Sequence, residues 1–150
     1  MKSKRALVIP VAALLAAGAT AAEKRVQLKD LPPAVQASVQ VQTKDTPTFR
    51  ISEEEEAGQT FYEIEAEVNG FSRDVRIDTS GAVVEVEEEI DPALLPAAVR
   101  QAVEGVAGGG TIRKVEAVTR DGATEYEVAI KGGRGKSKVV VSSDGTIREE

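Results

Sequence analysis

The sequence predicts an α+β protein, built as a tandem repeat of α-β-β-β-β units in which each helix packs on an antiparallel sheet. Three observations lead there. The chain aligns with itself, without gaps, at an offset of 64 residues. Each copy opens on apolar residues spaced by four, and each continues in alternating strands punctuated by glycine turns.

The self-alignment comes first because it sets the number of elements. Leu31-Pro32-Pro33-Ala34-Val35 falls on Leu95-Pro96-Ala97-Ala98-Val99, and the segment from Gly58 to Ile64 falls on that from Gly122 to Val128. Val75, Gly81 and Glu85 fall on Val139, Gly145 and Glu149. Over residues 31–86 there are 12 identities in 56 positions, where ordinary residue usage produces roughly three. The pairs Ile51/Val115, Ile64/Val128 and Ile77/Val141 keep their apolar character. A module copied in tandem has to keep its turn glycines and core positions, and these are what the two copies share.

Taken in order, residues 1–22 have the pattern of a signal peptide. Lys2, Lys4 and Arg5 precede an apolar run from Ala6 to Gly18, and Ala19-Thr20-Ala21 forms the small-residue site before the cut. The run is short for a spanning helix, which needs about 20 residues. We expect cleavage and no membrane attachment afterwards, with a first repeat over 23–88 and a second over 89–150. Leu31, Val35 and Val39 share one helix face, as do Leu95, Val99 and Val103. Pro32 and Pro96 are expected in the first helical turn, where a missing N–H costs nothing, and Asp30 and Asp91 as caps nearby. The first helix should end near Lys44-Asp45-Thr46-Pro47 and the second at Gly108-Gly109-Gly110. Four strands then follow in each copy. Tyr62, Ile64, Ala66 and Val68 point one way and Glu63, Glu65 and Glu67 the other; Tyr126, Val128 and Ile130 repeat the pattern. That alternation makes one face buried and one wet, so Tyr126→Ala should cost about 3–5 kcal/mol if this ring is core. Asn69-Gly70 and Asp121-Gly122 are hairpin signals, with further turns at Ala57-Gly58, Ser80-Gly81, Gly132-Gly133 and Asp144-Gly145. Short connections imply an antiparallel meander, and its apolar face is the only cover available to the helix stripe.

Composition narrows the function. The chain has no histidine and no cysteine, so it has no Ser–His pair, no thiolate and no ordinary zinc site. No cofactor is expected. Without its first 22 residues the chain keeps 16 Lys+Arg against 25 Asp+Glu, a net −9, which argues against nucleic acid as a partner. Glu63 and Glu127 are equivalent in the two copies and could meet as an acid/base pair, although charged residues on a strand usually face water. Glu53 to Glu56 and the acidic run from Glu85 to Asp91 could hold calcium weakly, but read more simply as a solvated face. Gly135-Lys136-Ser137 imitates the end of a phosphate loop but joins two strands and lacks the earlier glycine. Charge is lopsided: residues 30–88 carry 4 basic and 14 acidic groups, residues 94–150 carry 9 and 8. Lys131, Arg134, Lys136 and Lys138 gather around one hairpin, a candidate docking patch for an acidic partner or a strand edge guarded against aggregation.

The Leu-Pro opening of each helix, the Gly-x-x-x-Tyr-x-Ile/Val strand (Gly58 to Ile64, Gly122 to Val128) and the closing strand led by Ser80-Gly81 or Asp144-Gly145 together resemble the PepSY-like, beta-lactamase-inhibitor-like family. The resemblance covers both copies. It implies a small exported, non-catalytic module, periplasmic or secreted, that binds a protein partner in the cell envelope and restrains a peptidase or other hydrolase. It brings no catalytic residue. The alternative expectation is an acidic envelope protein that binds calcium or another cation weakly.

Overall fold

The computed structural model describes residues 23–148; the expected signal peptide at 1–22 lies outside them. A two-residue strand β1 (Lys24–Arg25) and a 3-10 turn lead into helix α1 (Pro33–Gln42). Strands β2 (Phe49–Glu56), β3 (Gln59–Val68), β4 (Phe71–Asp78) and β5 (Val83–Ile90) follow. After a second 3-10 turn come helix α2 (Ala97–Ala107) and strands β6 (Thr111–Arg120), β7 (Ala123–Lys131), β8 (Lys138–Ser142) and β9 (Ile147–Arg148). The α+β class and the repeated helix-plus-four-strand unit are both present, with β1 as one strand beyond expectation. No helix among the described residues is long and apolar enough to cross a membrane.

The strands form one antiparallel sheet in chain order, β1 through β9. The two copies are joined by β5 and β6, which pair from Val86↔Thr119 to Ile90↔Val115. Both helices lie on the same face of that sheet. Val35 and Val39 of α1 are fully buried with Ile51, Tyr62, Ile64, Val75 and Ile77; Val99 and Val103 of α2 are fully buried with Val115, Val128, Val139 and Val141. Strand β5 serves both cores, since Val86 packs against the first and Ile90 against the second.

The prolines sit one position earlier than expected. Pro32 and Pro96 have extended ψ values of 144° and flank the helices, and their carbonyls accept the first intrahelical bonds from Gln36 and Arg100 at 2.9 Å. A residue preceding proline is pushed out of the α region, so Leu31, followed by Pro32, is extended and enters the core from outside its helix. Asp91 caps the 3-10 turn, accepting from the Ala93 N–H at 2.8 Å. Asp30 instead lies inside the first 3-10 turn, and no side chain caps α1. Gly108 closes α2 at φ 58°.

Two register shifts matter for the faces. Ile77 pairs with Val83 and Val75 with Val86, so Val84 is the extra residue on β5. Ile112 pairs with Ile130 and Val115 with Val128, so Arg113 is extra on β6. Each bulge lets two apolar residues three positions apart share the helix-covered face.

Candidate functional site

With one face closed by both helices, the opposite face is open, and register dictates what it displays. One transverse row reads Ser52, Glu63, Arg76, Glu85. The next reads Glu65, Asp74, Glu87, Val118, Glu125, Ser142. A third reads Glu89, Glu116, Glu127, Val140, Arg148. Three carboxylates in a line occur twice, and like charges directly opposite one another destabilise a sheet. Much of this repulsion is offset by cations from neighbouring positions. Lys114 pairs with Glu116 at 2.7 Å, and Lys138 with Glu127 and Arg148 with Glu125 at 2.9 Å; Arg50 pairs with Glu65, Arg76 with Glu56 and Arg120 with Glu85. Pairs of this exposure contribute little each, but together they match charge to charge across most of the face.

Glu63, Asp74 and Glu87 make no ion pair among the described residues. All three are half-buried and hold their protons above the usual carboxylate range. Burial is the first cause at each. Glu63 is pushed up to about 8, next by a hydrogen bond with Glu54 and by the charges of Glu54, Asp74 and Glu65. Glu87 is pushed up to about 7, next by the charge of Glu85 and a hydrogen bond with it, then by Glu116 and Glu127. Asp74 is raised next by Glu65 and Glu116, against the pull of Lys114 and Arg50.

These shifts set a pH window. A carboxyl whose folded pKa exceeds its unfolded value contributes stability that is complete below the unfolded value, 4.5, and lost as pH rises through about 7 and 8. Asp78 and Asp144 have lowered values, held down by hydrogen bonds in their turns, so their contribution is lost only as pH falls below 3.8. The two effects do not overlap. Thermal melts should therefore show Glu63→Gln matching the wild type near pH 4.5 and melting higher than it at pH 8.5; equal melting temperatures at both pH values would mean that Glu63 is not desolvated.

Two further features mark this face. Val118 is 2% exposed yet belongs to neither core; it lies between Glu87 and Glu125, shielded on the open side. Among the described residues, the buried side-chain polar atoms without a hydrogen-bond partner are Ser52 Oγ and Arg76 Nε. Both residues flank Glu63 in one row. The Arg76 guanidinium also lies over the Phe61 ring, 4.0 Å from its centroid, a favourable cation–π position.

The basic hairpin stands elsewhere. Lys131 ends β7, Arg134 and Lys136 lie on the loop, and Lys138 opens β8. The loop backbone closes the end of α2: the Arg134 N–H donates to the Gly108 carbonyl at 3.0 Å and the Lys136 N–H to the Val106 carbonyl at 2.9 Å. A Cβ at Gly135 would come within 1.9 Å of the Val106 carbonyl oxygen, so the strand-to-strand segment is held against the helix and is no phosphate loop. Positive charge at a helix C-terminus is favourable, which gives this cluster a structural reason. Lys136 and Lys138 meet Arg148 along a shallow groove at the β8 edge, while Lys138 also reaches Glu127 on the open face.

The other sequence candidates separate. Glu63 and Glu127 share the open face but lie on β3 and β7, four strand spacings apart, or about 19 Å; they form no acid/base pair. The acidic run Glu53 to Glu56 alternates sides, with Glu54 and Glu56 on the open face and Glu53 beside Tyr62 on the other. No three Asp or Glu side chains among the described residues are placed to hold a metal ion. The unpaired trio Glu63, Asp74 and Glu87 was not singled out by sequence reasoning. Its members alternate visibly along their strands, but which carboxylates meet a cation depends on cross-strand register.

Comparison with known proteins agrees with this architecture. The model of the beta-lactamase-inhibitor-like, PepSY-like family matches residues 19–84 and again 68–149. No curated protein sequence matches the chain. Among solved structures, a candidate periplasmic protein of Bacteroides eggerthii superposes with TM-score 0.63 at 16% identity, over 79% of this chain and 86% of that one. A BLIP-like protein of Bacteroides fragilis superposes with TM-score 0.60 at 20% identity, over 79% of this chain and 84% of that one. At these identities the likeness is one of fold.

Proposed function

The chain belongs to the beta-lactamase-inhibitor-like, PepSY-like family, and from that premise we propose that it is an exported, non-catalytic module that binds a protein partner in the cell envelope through the open face of its sheet. The observation that carries this reading is the division of labour between the two faces. Both helices cover one side, and the other side, continuous across the β5–β6 junction, keeps half-buried carboxylates that folding leaves unmatched. In this proposal the repeats 23–88 and 89–150 act as one surface, not as two separate binding domains. The signal-like pattern at 1–22 and the candidate periplasmic protein among the similar structures support a periplasmic location. The family description supports a hydrolase as the partner's class. The absence of histidine and cysteine from the chain, with Glu63 and Glu127 far apart, supports a non-catalytic role. The Lys131, Arg134, Lys136 and Lys138 loop is peripheral in this arrangement, with Lys138 at the rim of the binding face.

Because the chain has no cysteine, single labels test the choice of face. Ala129→Cys places a thiol on the open face, opposite Lys114 and Lys138; Gln40→Cys places one on the exposed side of α1. Each variant, carrying a bulky maleimide, serves as bait for exported proteins of the source cell. The open-face label is expected to abolish capture of a protein that the wild type and the helix-labelled variant both retain. Capture blocked by the helix label alone, or no protein retained by the wild type, would overturn the reading.

A further inference from the structure

Glu56, Glu65, Glu85, Glu116, Glu125 and Glu127 each meet a cation within the protein, and among those that do not, Glu63, Asp74 and Glu87 are neighbours. Asp74 and Glu87 are directly opposite each other, and Glu63 is on the strand beside Asp74, one row away. Folding alone gives no reason for this placement, since directly opposed like charges destabilise a sheet and partial burial resists ionisation.

A second observation, independent of charge, points to the same spot. Ser52 is 4% exposed, its hydroxyl has no hydrogen-bond partner, and it lies directly opposite Glu63. A buried hydroxyl left unbonded is costly. Its oxygen and the Glu54 and Glu63 carboxyls supply acceptors for a group with several N–H donors. The positive groups nearby do not fill that role: the terminal nitrogen of Arg76 is taken by Glu56, its guanidinium lies over Phe61 and its Nε reaches no acceptor, and Arg120 is taken by Glu85.

Resting on the open-face reading above, we infer that the partner presents a basic segment whose cationic side chains seat on Glu63, Asp74 and Glu87, with the Ser52 hydroxyl completing the site beside Glu63. The charge complementarity is local, because six carboxylates around the cluster are already matched by cations. A metal ion fits less well, since no three carboxylates among the described residues converge.

Such binding is linked to protons. Glu63 faces Glu54 and Ser52 from β2, and Asp74 and Arg76 from β4. Glu87 faces Asp74 from β4, Glu116 from β6 and Glu127 from β7, with Glu85 on its own strand. In the free protein Glu63 and Glu87 hold protons near neutrality, and an arriving cation favours their ionised forms. Affinity should therefore rise with pH up to about 8 and level off above it.

Hexa-arginine with an acetylated N-terminus is a suitable probe, because the charge of its guanidinium groups does not change over this range. Titration calorimetry at low salt compares wild type, the triple variant E63Q/D74N/E87Q, and the charge-matched control D45N/E55Q/E104Q, whose sites are exposed and off the open face. The wild type is expected to bind about tenfold more tightly at pH 8.5 than at pH 6. The triple variant should lose about tenfold at pH 8.5 together with the pH dependence, and the control should lose no more than about threefold. Equal losses in the triple variant and the control would overturn the inference. So would calcium alone displacing the peptide at equal charge concentration, or displacement by a second copy of the chain through its basic loop. Capture that is blocked by the Ala129 label but unaffected by the triple variant would sink this inference while leaving the open-face reading intact.

Discussion

Replacing Tyr62 by alanine is expected to lower the unfolding free energy by about 3–5 kcal/mol, and the equivalent Tyr126→Ala by about 2–3 kcal/mol. The two tyrosines occupy the same position in the two copies, but their surroundings differ. Tyr62 is 6% exposed within the first core, between Glu53 on β2 and Ile77 on β4. The added edge strand β1 brings Lys24 to Glu53 at 3.6 Å, and the Tyr62 hydroxyl is raised in pKa first by burial and then by Glu53. In the second copy Ala117 stands where Glu53 does, and Tyr126 is half-buried at the margin of its core, beside Ala117 and Val141. A smaller share of the ring leaves water on folding, so less is lost on truncation. The sequence expectation of about 3–5 kcal/mol for Tyr126 therefore belongs to its counterpart. Urea unfolding with linear extrapolation checks this; equal losses at the two sites would mean that β1 contributes no cover.

The turn glycines are the second place where a small change should have a large effect. Gly81 and Gly145 are equivalent, with φ of 86° and 91°, which a residue with a Cβ adopts only under strain. Each turn also rests on the start of its helix. A Cβ at Gly81 would meet the Ala34 carbonyl oxygen at 2.6 Å, and one at Gly145 the Ala98 carbonyl oxygen at 2.9 Å. The Ser38 hydroxyl donates to the Gly81 carbonyl, a bond that Ala102 cannot make in the second copy. Gly81→Ala is expected to cost about 3–4 kcal/mol and Gly145→Ala about 2–3 kcal/mol, backbone strain and overpacking acting together. Gly122→Ala, with φ of 76° and no atom within 4 Å, carries only the backbone contribution, about 1 kcal/mol. The order Gly81, Gly145, Gly122 is the result to look for in denaturation midpoints. If Gly122→Ala proved as costly as Gly81→Ala, the contact with the helix would be irrelevant.

The Leu-Pro openings, the helix stripes at Val35/Val39 and Val99/Val103, the Tyr-x-Ile/Val strands and the Asn-Gly and Asp-Gly turns were all readable from residue order, because each depends on neighbours within about ten positions: a helical period, a strand period, a permissive φ. They sufficed for the α+β class, the repeated unit and the family. What residue order could not settle depends on contacts between distant segments. A pure two-residue alternation through Val84-Glu85-Val86 cannot foresee the bulge that sets Val83 opposite Ile77 and Val86 opposite Val75, because a bulge is defined by the strand opposite. The merging of two sheets into one rests on the pairing of Val86–Ile90 with Val115–Thr119, and the Lys24–Glu53 pair beside Tyr62 rests on β1. The same holds for charge. Glu65 and Glu63 look alike in the chain, yet one meets Arg50 and the other meets Glu54 and an unbonded serine. The sequence determined the modules and their turns through local conformational preference, and only the tertiary structure decided which carboxylates were left without a cation, because most of the ion pairs and the burial are set by residues on other strands.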